Sequence, residues 1–550
     1  MTPMPAYPPS LRLAALPLWG TLALRERLLA RGGPILHAHI SSREPMPSAD
    51  LLREIAVGGS FRAVHLVVHH LGGGWATLRA AREALQAVKA AGIAVYIELE
   101  ACSNAELYLS SVATRVWMRP MAEVQAVGIA ATMRFAGEAL ARFGLQFDVE
   151  AAGAYKAAGE TFTRAWATSE NREAMEALVD GLQEELVDGV ATGRGLAPEV
   201  VRTALADGPL AADEAVARRL VDAVAYPDEV RAELEALLGG PIDGLDLRHW
   251  LRVRVLRRRV ERWIQGARRV VVVHLDGPIV DGEGPPGAEV VACEPSCRLL
   301  DTLTEDDRVA GVVLAVRSPG GSALASDRIW RSVQRLGEKK VVVAAFGDVA
   351  ASGGYYLAAP AVEIFVEPNT ITGSIGVVGG KLVVRDALAR LGVHGERVGA
   401  LNAGMYGPDA PFTPAQRERF RASLTRFYQG FVERVAAGRK RPYAVVEPLA
   451  RGRVWTGRAA VAVGLADHFG GVHDAVARVR VLAGSASLAR VDVRVTPRRG
   501  RLRRLLRGWI GLALPLDVLD LLAVPPLSRF LLGGARGPLA LWPFDIDLRP

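Results

Sequence analysis

The chain has 550 residues, half of them hydrophobic and 23% charged, with a formal net charge of +8. This length is too great for one hydrophobic core and indicates several globular units, and the composition excludes a largely disordered chain. Arginines cluster at 247–269 and 494–507 beside leucine and tryptophan, which favours a membrane surface or an acidic partner; no nucleic-acid-binding module accompanies them.

The first segment, residues 1–33, contains an apolar stretch at 11–24. Arg12 and Pro17 interrupt this stretch, and a helix needs about 20 apolar residues to span a bilayer. We therefore expect neither a clear signal peptide nor a transmembrane helix in this segment.

Two long stretches of the chain match each other at a constant spacing. The matched pairs include Tyr108 and Tyr356, Pro120 and Pro368, and Gly128 and Gly376. Such a repeat predicts two copies of one fold, over about 34–228 and 269–483. A basic linker at 229–268 joins them, and a tail at 484–550 follows the second copy.

The order of elements is clearest in the second copy. β-branched runs at 270–275 and 309–316 predict buried strands, and an amphipathic helix is predicted at 326–336. Further strands are predicted at 340–346 and 362–366. Buried strands that alternate with helices indicate βαβ units, so we predict two α/β copies, each with a parallel sheet covered by helices.

The linker and the tail each carry a basic segment. The linker sequence LRHWLRVRVLRRRVERWIQGARR predicts a helix, either solvated or in contact with a membrane. In the tail, an apolar stretch interrupted by Pro515, Pro525 and Pro526 follows the arginines, which argues against one continuous spanning helix. The tail is either an interfacial segment, with arginine toward lipid headgroups, or a segment that packs on its own domain or on a neighbouring subunit.

The three cysteines, Cys102, Cys293 and Cys297, are too few and odd in number for a disulfide framework. We expect Cys293 and Cys297 to be free thiols. Because no second pair of ligands stands near them, we expect no metal site.

A candidate nucleophile lies in the second copy, where GDVAASGGYY follows a predicted strand. Small residues before Ser352 and glycines after it permit a sharp turn from strand to helix that displays the hydroxyl. The N–H group of Gly353 can then face a developing oxyanion. Gly320 and Gly321, in SPGGS after the neighbouring strand, can complete an oxyanion hole. Each turn, taken alone, is also compatible with a purely structural role.

A serine nucleophile needs a base, and no histidine has a setting that suits this role. Lysine can serve once burial lowers its pKa from about 10.4 toward neutrality, which costs about 4–5 kcal/mol. Among the six lysines, Lys156 in GAYKAAG has small and apolar neighbours. The repeat supports this choice, because Ser352 aligns with Asn104 and Lys156 aligns with about Gly404. Each copy therefore retains one half of a Ser/Lys pair.

Five motifs together resemble the signal peptide peptidase A (protease IV) family in its long, tandem-domain form. They are GAYKAA at 153–158, SPGGS at 318–322, AASGGYYLAAPA at 350–361, TGSIGV at 372–377 and GRVWTGRAAVAVGLAD at 452–467. The match covers roughly 35–480.

This resemblance implies a crotonase/Clp-protease-like fold in each copy. It also implies a Ser/Lys dyad that cleaves hydrophobic peptides, such as signal-peptide remnants, through an acyl-enzyme and without a cofactor. By position, Ser352 would be the nucleophile, Lys156 the general base and Gly353 an oxyanion donor. Ser374 would orient the lysine amine. The family further implies a homotetramer at the bacterial inner membrane.

The sequence departs from the family pattern at both ends, so the mode of membrane attachment and the side of the membrane stay open. Two other functions also stay open. One is a crotonase-like acyl-coenzyme A enzyme, in which the glycine turns would hold a thioester carbonyl. The other is a catalytically inactive, membrane-associated scaffold. The sequence does not decide whether one chain or two neighbouring chains supply the Ser/Lys pair.

Overall fold

The computed structural model describes residues 16–31, 33–58, 61–242, 244–265, 268–399, 402–494 and 539–541. These residues form two compact units. The first consists of the described residues within Met1–Ala130 and Asp180–Arg268, and the second of those within Ala131–Val179 and Arg269–Asp547. The segment Ala131–Val179, which includes Lys156, therefore belongs to the same unit as Ser352.

The elements alternate between strand and helix along most of the chain. Up to residue 130 they are α1 (Leu16–Leu29), β1 (Ile35–Ile40), α2 (Ala49–Gly58), β2 (Ala63–Val68), α3 (Trp75–Ala90), β3 (Ala94–Leu99), α4 (Asn104–Ser110), β4 (Arg115–Met118) and β5 (Glu123–Val124). Up to residue 268 they continue as α5 (Gly137–Arg142), β6 (Gln146–Ala152), a 3-10 turn (Ala157–Gly159), α6 (Glu160–Thr163), α7 (Ser169–Arg194), α8 (Pro198–Asp207), β7 (Leu210–Ala211), α9 (Ala212–Ala217), β8 (Ala223–Val224), α10 (Pro227–Leu238), β9 (Gly244–Asp246) and α11 (Leu247–Gln265).

The remaining elements lie in the second unit. They are β10 (Arg269–Asp276), β11 (Ile279–Val280), β12 (Val291–Ala292), α12 (Cys293–Glu305), β13 (Val309–Ser318), β14 (Gly320–Ser322), α13 (Ala323–Lys339), β15 (Val341–Ala351), α14 (Gly353–Ala358), β16 (Glu363–Val366), β17 (Ile371–Gly373), β18 (Val377–Val383), α15 (Arg385–Arg390), α16 (Pro414–Gly438), α17 (Tyr443–Val446), a 3-10 turn (Glu447–Leu449), β19 (Val454–Thr456), α18 (Gly457–Ala462), β20 (His468–Phe469), α19 (Val472–Leu482), β21 (Ala489–Arg494) and β22 (Leu539–Leu541).

Each unit is built on a largely parallel sheet. The first unit has the strand order β8-β4-β3-β2-β1-β9, with every neighbouring pair parallel. The second has the order β19-β17-β15-β13-β10-β21, in which only β17 and β19 are antiparallel. Central strands such as β13 are buried along most of their length, as expected for strands covered on both faces. The predicted α/β class, with tandem copies on parallel sheets, is confirmed.

The two units repeat the same local order. In the first, α3 connects β2 to β3, and α4 follows β3 directly; in the second, α13 connects β13 to β15, and α14 follows β15. The strands and the helix that the sequence predicts in the second copy are all present. The strand predicted at 340–346 continues to Ala351, so Ser352 lies directly at its end.

A second sheet of the second unit has the order β12-β11-β14-β22-β18-β6. Its strands β6 and β18 pair antiparallel over seven residues, from Gln146 opposite Val383 to Ala152 opposite Val377. The sequence interpretation of SPGGS as a turn is incomplete, because Gly320–Ser322 forms a short strand that pairs with β11 and with β22.

The basic linker is helical, as predicted, over Leu247–Gln265. The first half of this helix is partly buried, so it is not a fully solvated linker, and its buried apolar residues cannot contact a membrane. Trp250 is fully buried, and Arg254 forms ion pairs with Glu26 and Glu54 of the same unit. This part of the helix therefore packs on its own unit.

Within the part of the chain that the structure describes, no helix combines the length and the apolar character needed to cross a bilayer. The three cysteines are free thiols. Most of the predicted tail, residues 495–538 and 542–550, lies outside the described residues. Its strand Leu539–Leu541 pairs with strands of the second unit, which favours a tail that packs, at this point, on its own domain.

Candidate active site

Ser352 occupies a strained turn between β15 and α14. Its backbone has φ 55° and ψ −118°, and its N–H donates a hydrogen bond to the carbonyl of Gly373 at 2.8 Å. A positive φ at a residue other than glycine costs on the order of 1–3 kcal/mol and persists only where the surroundings enforce it. The residue is fully buried. The turn therefore holds the backbone of Ser352 in a defined conformation at the end of a central strand.

The glycines after Ser352 allow this turn to pack against the SPGGS segment. A Cβ on Gly353 would lie 2.5 Å from Ser326 Oγ and 3.3 Å from Gly320 Cα, and one on Gly354 would lie 2.7 Å from the Ser318 carbonyl oxygen. Any larger residue at these positions would separate the two segments. Gly353 and Gly320, both predicted as oxyanion-hole residues, are therefore neighbours.

The predicted oxyanion residues differ in their backbone contacts. Gly353 begins α14, so its N–H has no carbonyl partner within the helix. The N–H of Gly320 donates to Ser318 Oγ at 3.2 Å. Gly321 lies one residue further along β14, opposite Ile279 of β11. Gly320 is thus the member of the glycine pair that adjoins the nucleophile turn.

The antiparallel pairing of β6 with β18 positions Lys156. Ala152, the last residue of β6, lies opposite Val377, the first residue of β18. The residues that follow β6 therefore run beside those that precede β18. This register places Lys156 next to Ser374, although more than 200 residues separate them in the sequence.

The segment around Gly452 fixes the backbone of Lys156. The N–H of Tyr155 donates to the carbonyl of Arg451, the neighbour of Gly452, at 2.8 Å. Within its own loop, the N–H of Lys156 donates to the carbonyl of Gly153 at 3.0 Å. Gly452 has φ +81°, and a Cβ at this position would lie 2.5 Å from the backbone nitrogen of Lys156. Only glycine combines this conformation with so close an approach.

The amine of Lys156 contacts three oxygen atoms. Its Nζ lies 2.9 Å from Ser352 Oγ, 2.9 Å from Ser374 Oγ and 3.0 Å from the Ser374 carbonyl oxygen. A neutral amine has two N–H donors and one lone pair. If the donors point to the two oxygens of Ser374, the lone pair faces the hydroxyl of Ser352, which is the arrangement that proton abstraction requires.

Burial lowers the pKa of Lys156 well below its ordinary value. The residue is 4% exposed, and desolvation by burial is the cause of the lowered pKa, with no contribution from a carboxylate among the described residues. Desolvation without a compensating negative charge disfavours the ammonium form. Lys381, the other largely buried lysine of this unit, donates instead to the carbonyl of Met405 at 2.7 Å.

Ser374 also has a strained backbone, with φ 51°, and it is fully buried. Its N–H donates to the carbonyl of Arg453 at 2.7 Å, so the same segment that contacts Lys156 also fixes Ser374. The structure thus brings Ser352, Lys156 and Ser374 together within one chain and within one compact unit.

Two groups next to the site were not predicted from the sequence. Gly452 packs on Lys156, and Ser318 accepts the N–H of Gly320. Gly452 opens the motif GRVWTGRAAVAVGLAD, and Ser318 opens SPGGS, but no local pattern links Gly452 to the distant motif GAYK at 153–156. The strand Leu539–Leu541, which pairs with β14, has no distinctive sequence signal.

The chain matches the family model "Peptidase family S49" twice, over residues 87–239 and 334–485. It is 30% identical over 430 residues to "Serine protease SPPA, chloroplastic" of Arabidopsis thaliana, which covers 75% of this chain and 62% of the relative. It is also 30% identical over 424 residues to "Protease 4" of Salmonella typhi, covering 74% of this chain and 66% of the relative. The chain thus spans less than two thirds of the length of these relatives.

Among solved structures, the chain is similar to a membrane-bound stomatin-specific protease, 1510-N, with a TM-score of 0.27 and 14% identity. That match covers 41% of this chain and 98% of the other. A second similarity is to ClpP1 from Listeria monocytogenes, with a TM-score of 0.25 and 15% identity over 37% of this chain and 94% of the other.

Proposed function

Since the chain belongs to peptidase family S49, we propose that it is a serine endopeptidase with Ser352 as nucleophile and Lys156 as general base. The observation that carries this proposal is the 2.9 Å contact between Lys156 Nζ and Ser352 Oγ in a buried site. Burying a lysine without a carboxylate is costly, which argues for a chemical use of its neutral form. A purely structural scaffold has no need of this arrangement.

The catalytic cycle begins with neutral Lys156. Its lone pair accepts the proton of Ser352 as Oγ attacks the carbonyl carbon of a peptide bond. The N–H of Gly353 stabilises the oxyanion together with a backbone N–H of Gly320–Gly321. The Gly320 N–H can contribute only when it leaves Ser318 Oγ, to which it donates at 3.2 Å. Protonated Lys156 then donates its proton to the leaving amine, and water hydrolyses the acyl-enzyme. Lys156 accepts a proton from that water and passes it to Ser352 Oγ as the ester bond breaks, which restores the neutral amine and the hydroxyl. The proposed cycle uses no metal or organic cofactor.

The substrate class, location and assembly of the protein follow from its family resemblance. We expect hydrophobic peptides, including signal-peptide remnants, as substrates, a membrane-associated location and a homotetramer. The arginine- and leucine-rich sequence at 494–507 supports a contact with anionic lipid headgroups. Flotation with vesicles that contain anionic lipids and light scattering of the purified chain test the last two expectations.

The proposed activity is tested by incubating the purified chain with casein and with an apolar reporter peptide, alongside Ser352→Ala. We expect the wild type to cleave both substrates and the variant to cleave neither. A wild type that turns over acyl-coenzyme A thioesters but no peptide would contradict the proposal and favour the crotonase-like alternative. A chain with neither activity would favour the scaffold.

The pH dependence of cleavage is expected to follow the ionisation of Lys156. The protonated amine has no lone pair, so kcat/KM should be low in acid and rise as pH increases through the pKa of Lys156. Because burial lowers that pKa, the rise should be complete well below the ordinary lysine value of 10.5. A profile of kcat/KM against pH on the reporter peptide measures it. A rise centred near 10.5 would contradict a desolvated base.

Ser374→Ala is expected to lower kcat about 10- to 100-fold with little change in KM. The variant removes Ser374 Oγ, one of the two Ser374 oxygens that hold the Lys156 amine in position. An acceptor hydrogen bond favours the ammonium form, so its removal should also move the rise of the pH profile to lower pH. Kinetics as a function of pH measure both effects. An unchanged profile with reduced thermal stability would indicate a merely structural role.

A further inference from the structure

The side chain of Arg453 joins the loop that carries Lys156 to the strand that leads to Ser374. Its guanidinium carbon lies over two aromatic rings, 5.0 Å from the ring centre of Tyr155 and 4.8 Å from that of Trp455. Tyr155 directly precedes Lys156, and Trp455 belongs to β19. A cation over an aromatic ring is attracted by the electrons of the ring face, most strongly where water is excluded. The Arg453 side chain is only 19% exposed, so this attraction is partly shielded from solvent.

Two further contacts fix the arrangement of these three side chains. Glu173, near the start of α7, accepts a hydrogen bond from Arg453 Nη1 at 2.5 Å and another from the hydroxyl of Tyr155 at 3.0 Å. The indole N–H of Trp455 donates to the carbonyl of Leu449 at 3.0 Å. One carboxylate therefore holds the guanidinium and the phenol side by side, and charge-assisted hydrogen bonds of this kind are among the stronger ones in proteins.

β19 connects this cluster to Ser374. Trp455 lies opposite Thr372 in the antiparallel pair of β19 and β17, and β17 ends directly before Ser374. The carbonyl of Arg453 accepts the N–H of Ser374 at 2.7 Å. Arg453 thus contacts Ser374 through its main chain and the Lys156 loop through its side chain.

A neutral lysine base has to be positioned without an ion pair. A carboxylate on the amine of Lys156 would favour the ammonium form and raise its pKa, which would remove the base near neutral pH. Contacts on the preceding side chain avoid this effect, because Glu173 and the guanidinium act on Tyr155 and balance each other's charge. We infer that Arg453 is a positioning residue for the general base, an inference that rests on the proposed function: its side chain holds Tyr155 and thereby keeps the Lys156 amine in place.

Arg453→Met tests this role, because it removes the cation and the hydrogen bond to Glu173 but leaves the main-chain carbonyl in place. We expect kcat on the apolar reporter peptide to fall about 10- to 100-fold with KM within about a factor of two, since a small displacement of the amine suffices for such a loss. A displaced Lys156 is less desolvated, so the rise of kcat/KM with pH should move to higher pH. Arg453→Lys, which retains the charge but not the planar guanidinium, should recover part of kcat.

Tyr155→Leu is the second variant, and it decides the question if Arg453→Met does not fold. It removes the ring that Arg453 contacts and should move the pH profile in the same direction. Combined with Arg453→Met, it should lower kcat no further than either single variant, because both remove the same contact. Kinetics as a function of pH, at equal folded fraction by circular dichroism, measure these effects.

Arg115→Met is the matched control in the first unit. Arg115 lies over the ring of Trp117 at 5.5 Å, and both side chains contact the carboxylate of Glu233. Its replacement should keep the wild-type kcat and pH profile. An unchanged pH profile in Arg453→Met and Tyr155→Leu, or an equal loss of kcat in Arg115→Met, would overturn this inference and leave the proposed function intact. A wild type that cleaves no peptide would contradict the proposed function itself.

Discussion

Replacing Lys156 by alanine is expected to lower kcat on the apolar reporter peptide at least ~1000-fold, and Lys156→Arg should be equally inactive. Arginine retains the positive charge and a similar length but does not lose its proton in the pH range of the assay. The double variant with Ser352→Ala should be no slower than either single variant, because the two residues act as one unit. Steady-state kinetics on the wild type, Lys156→Ala, Lys156→Arg, Ser352→Ala and the double variant Lys156→Ala/Ser352→Ala measure these effects.

Lys381→Ala is the matched control for this series. Lys381 is also largely buried in the second unit, but its amine donates to the carbonyl of Met405 and does not contact Ser352. Its replacement should leave kcat within a factor of about three of the wild type. Substantial activity in Lys156→Arg, or an equal loss in Lys381→Ala, would contradict the assignment of Lys156 as the base.

Gly452→Ala is expected to lower kcat about 100-fold or more, although Gly452 contacts no substrate atom in the proposed cycle. The added Cβ would lie 2.5–2.7 Å from the backbone nitrogen, Cα and Cβ of Lys156, and the residue has φ +81°. The backbone of Lys156 must therefore shift, and a displacement of the catalytic amine by about 1 Å suffices for a loss of this size. Kinetics at equal folded fraction, judged by circular dichroism, measure the effect.

Gly392→Ala separates the displacement of Lys156 from the strain of a positive φ. Gly392 has φ +75°, close to that of Gly452, but no other atom lies within 4 Å of an added Cβ. Both variants carry the conformational strain, which destabilises each by a similar amount. Only Gly452→Ala should lose activity. Equal kcat in the two variants would show that Gly452 does not position the base.

The sequence predicted the chemical groups of the site because each lies in a local pattern. Ser352 follows a buried strand and precedes two glycines, and Lys156 lies among small residues without a carboxylate. The repeat explained why these two residues complement each other. The structure adds the register of β6 and β18, which carries Lys156 to Ser374. Such long-range antiparallel pairing depends on cross-strand contacts that no local pattern encodes.

The environment of the site was less predictable than its groups. Gly320–Ser322 was interpreted as a turn, since two glycines with an adjacent serine are typical of turns, but a partner strand on each side makes it part of a sheet. Trp250 lies in the linker helix, for which the sequence left open whether it faced solvent or a membrane. Contacts with distant residues of the same unit bury Trp250, and the sequence does not reveal those contacts. In both cases distant residues decide the outcome, and a single sequence does not identify them.

Labelling with a fluorophosphonate tests most directly whether neutral Lys156 activates Ser352, because this reagent reacts with activated serine hydroxyls and needs no knowledge of the natural substrate. Peptide mapping of the labelled chain should find one adduct, on Ser352. Its rate of formation should rise with pH together with the deprotonation of Lys156, and it should fall at least ~1000-fold in Lys156→Ala. An adduct on another serine, or labelling of Ser352 at the wild-type rate in Lys156→Ala, would contradict the account.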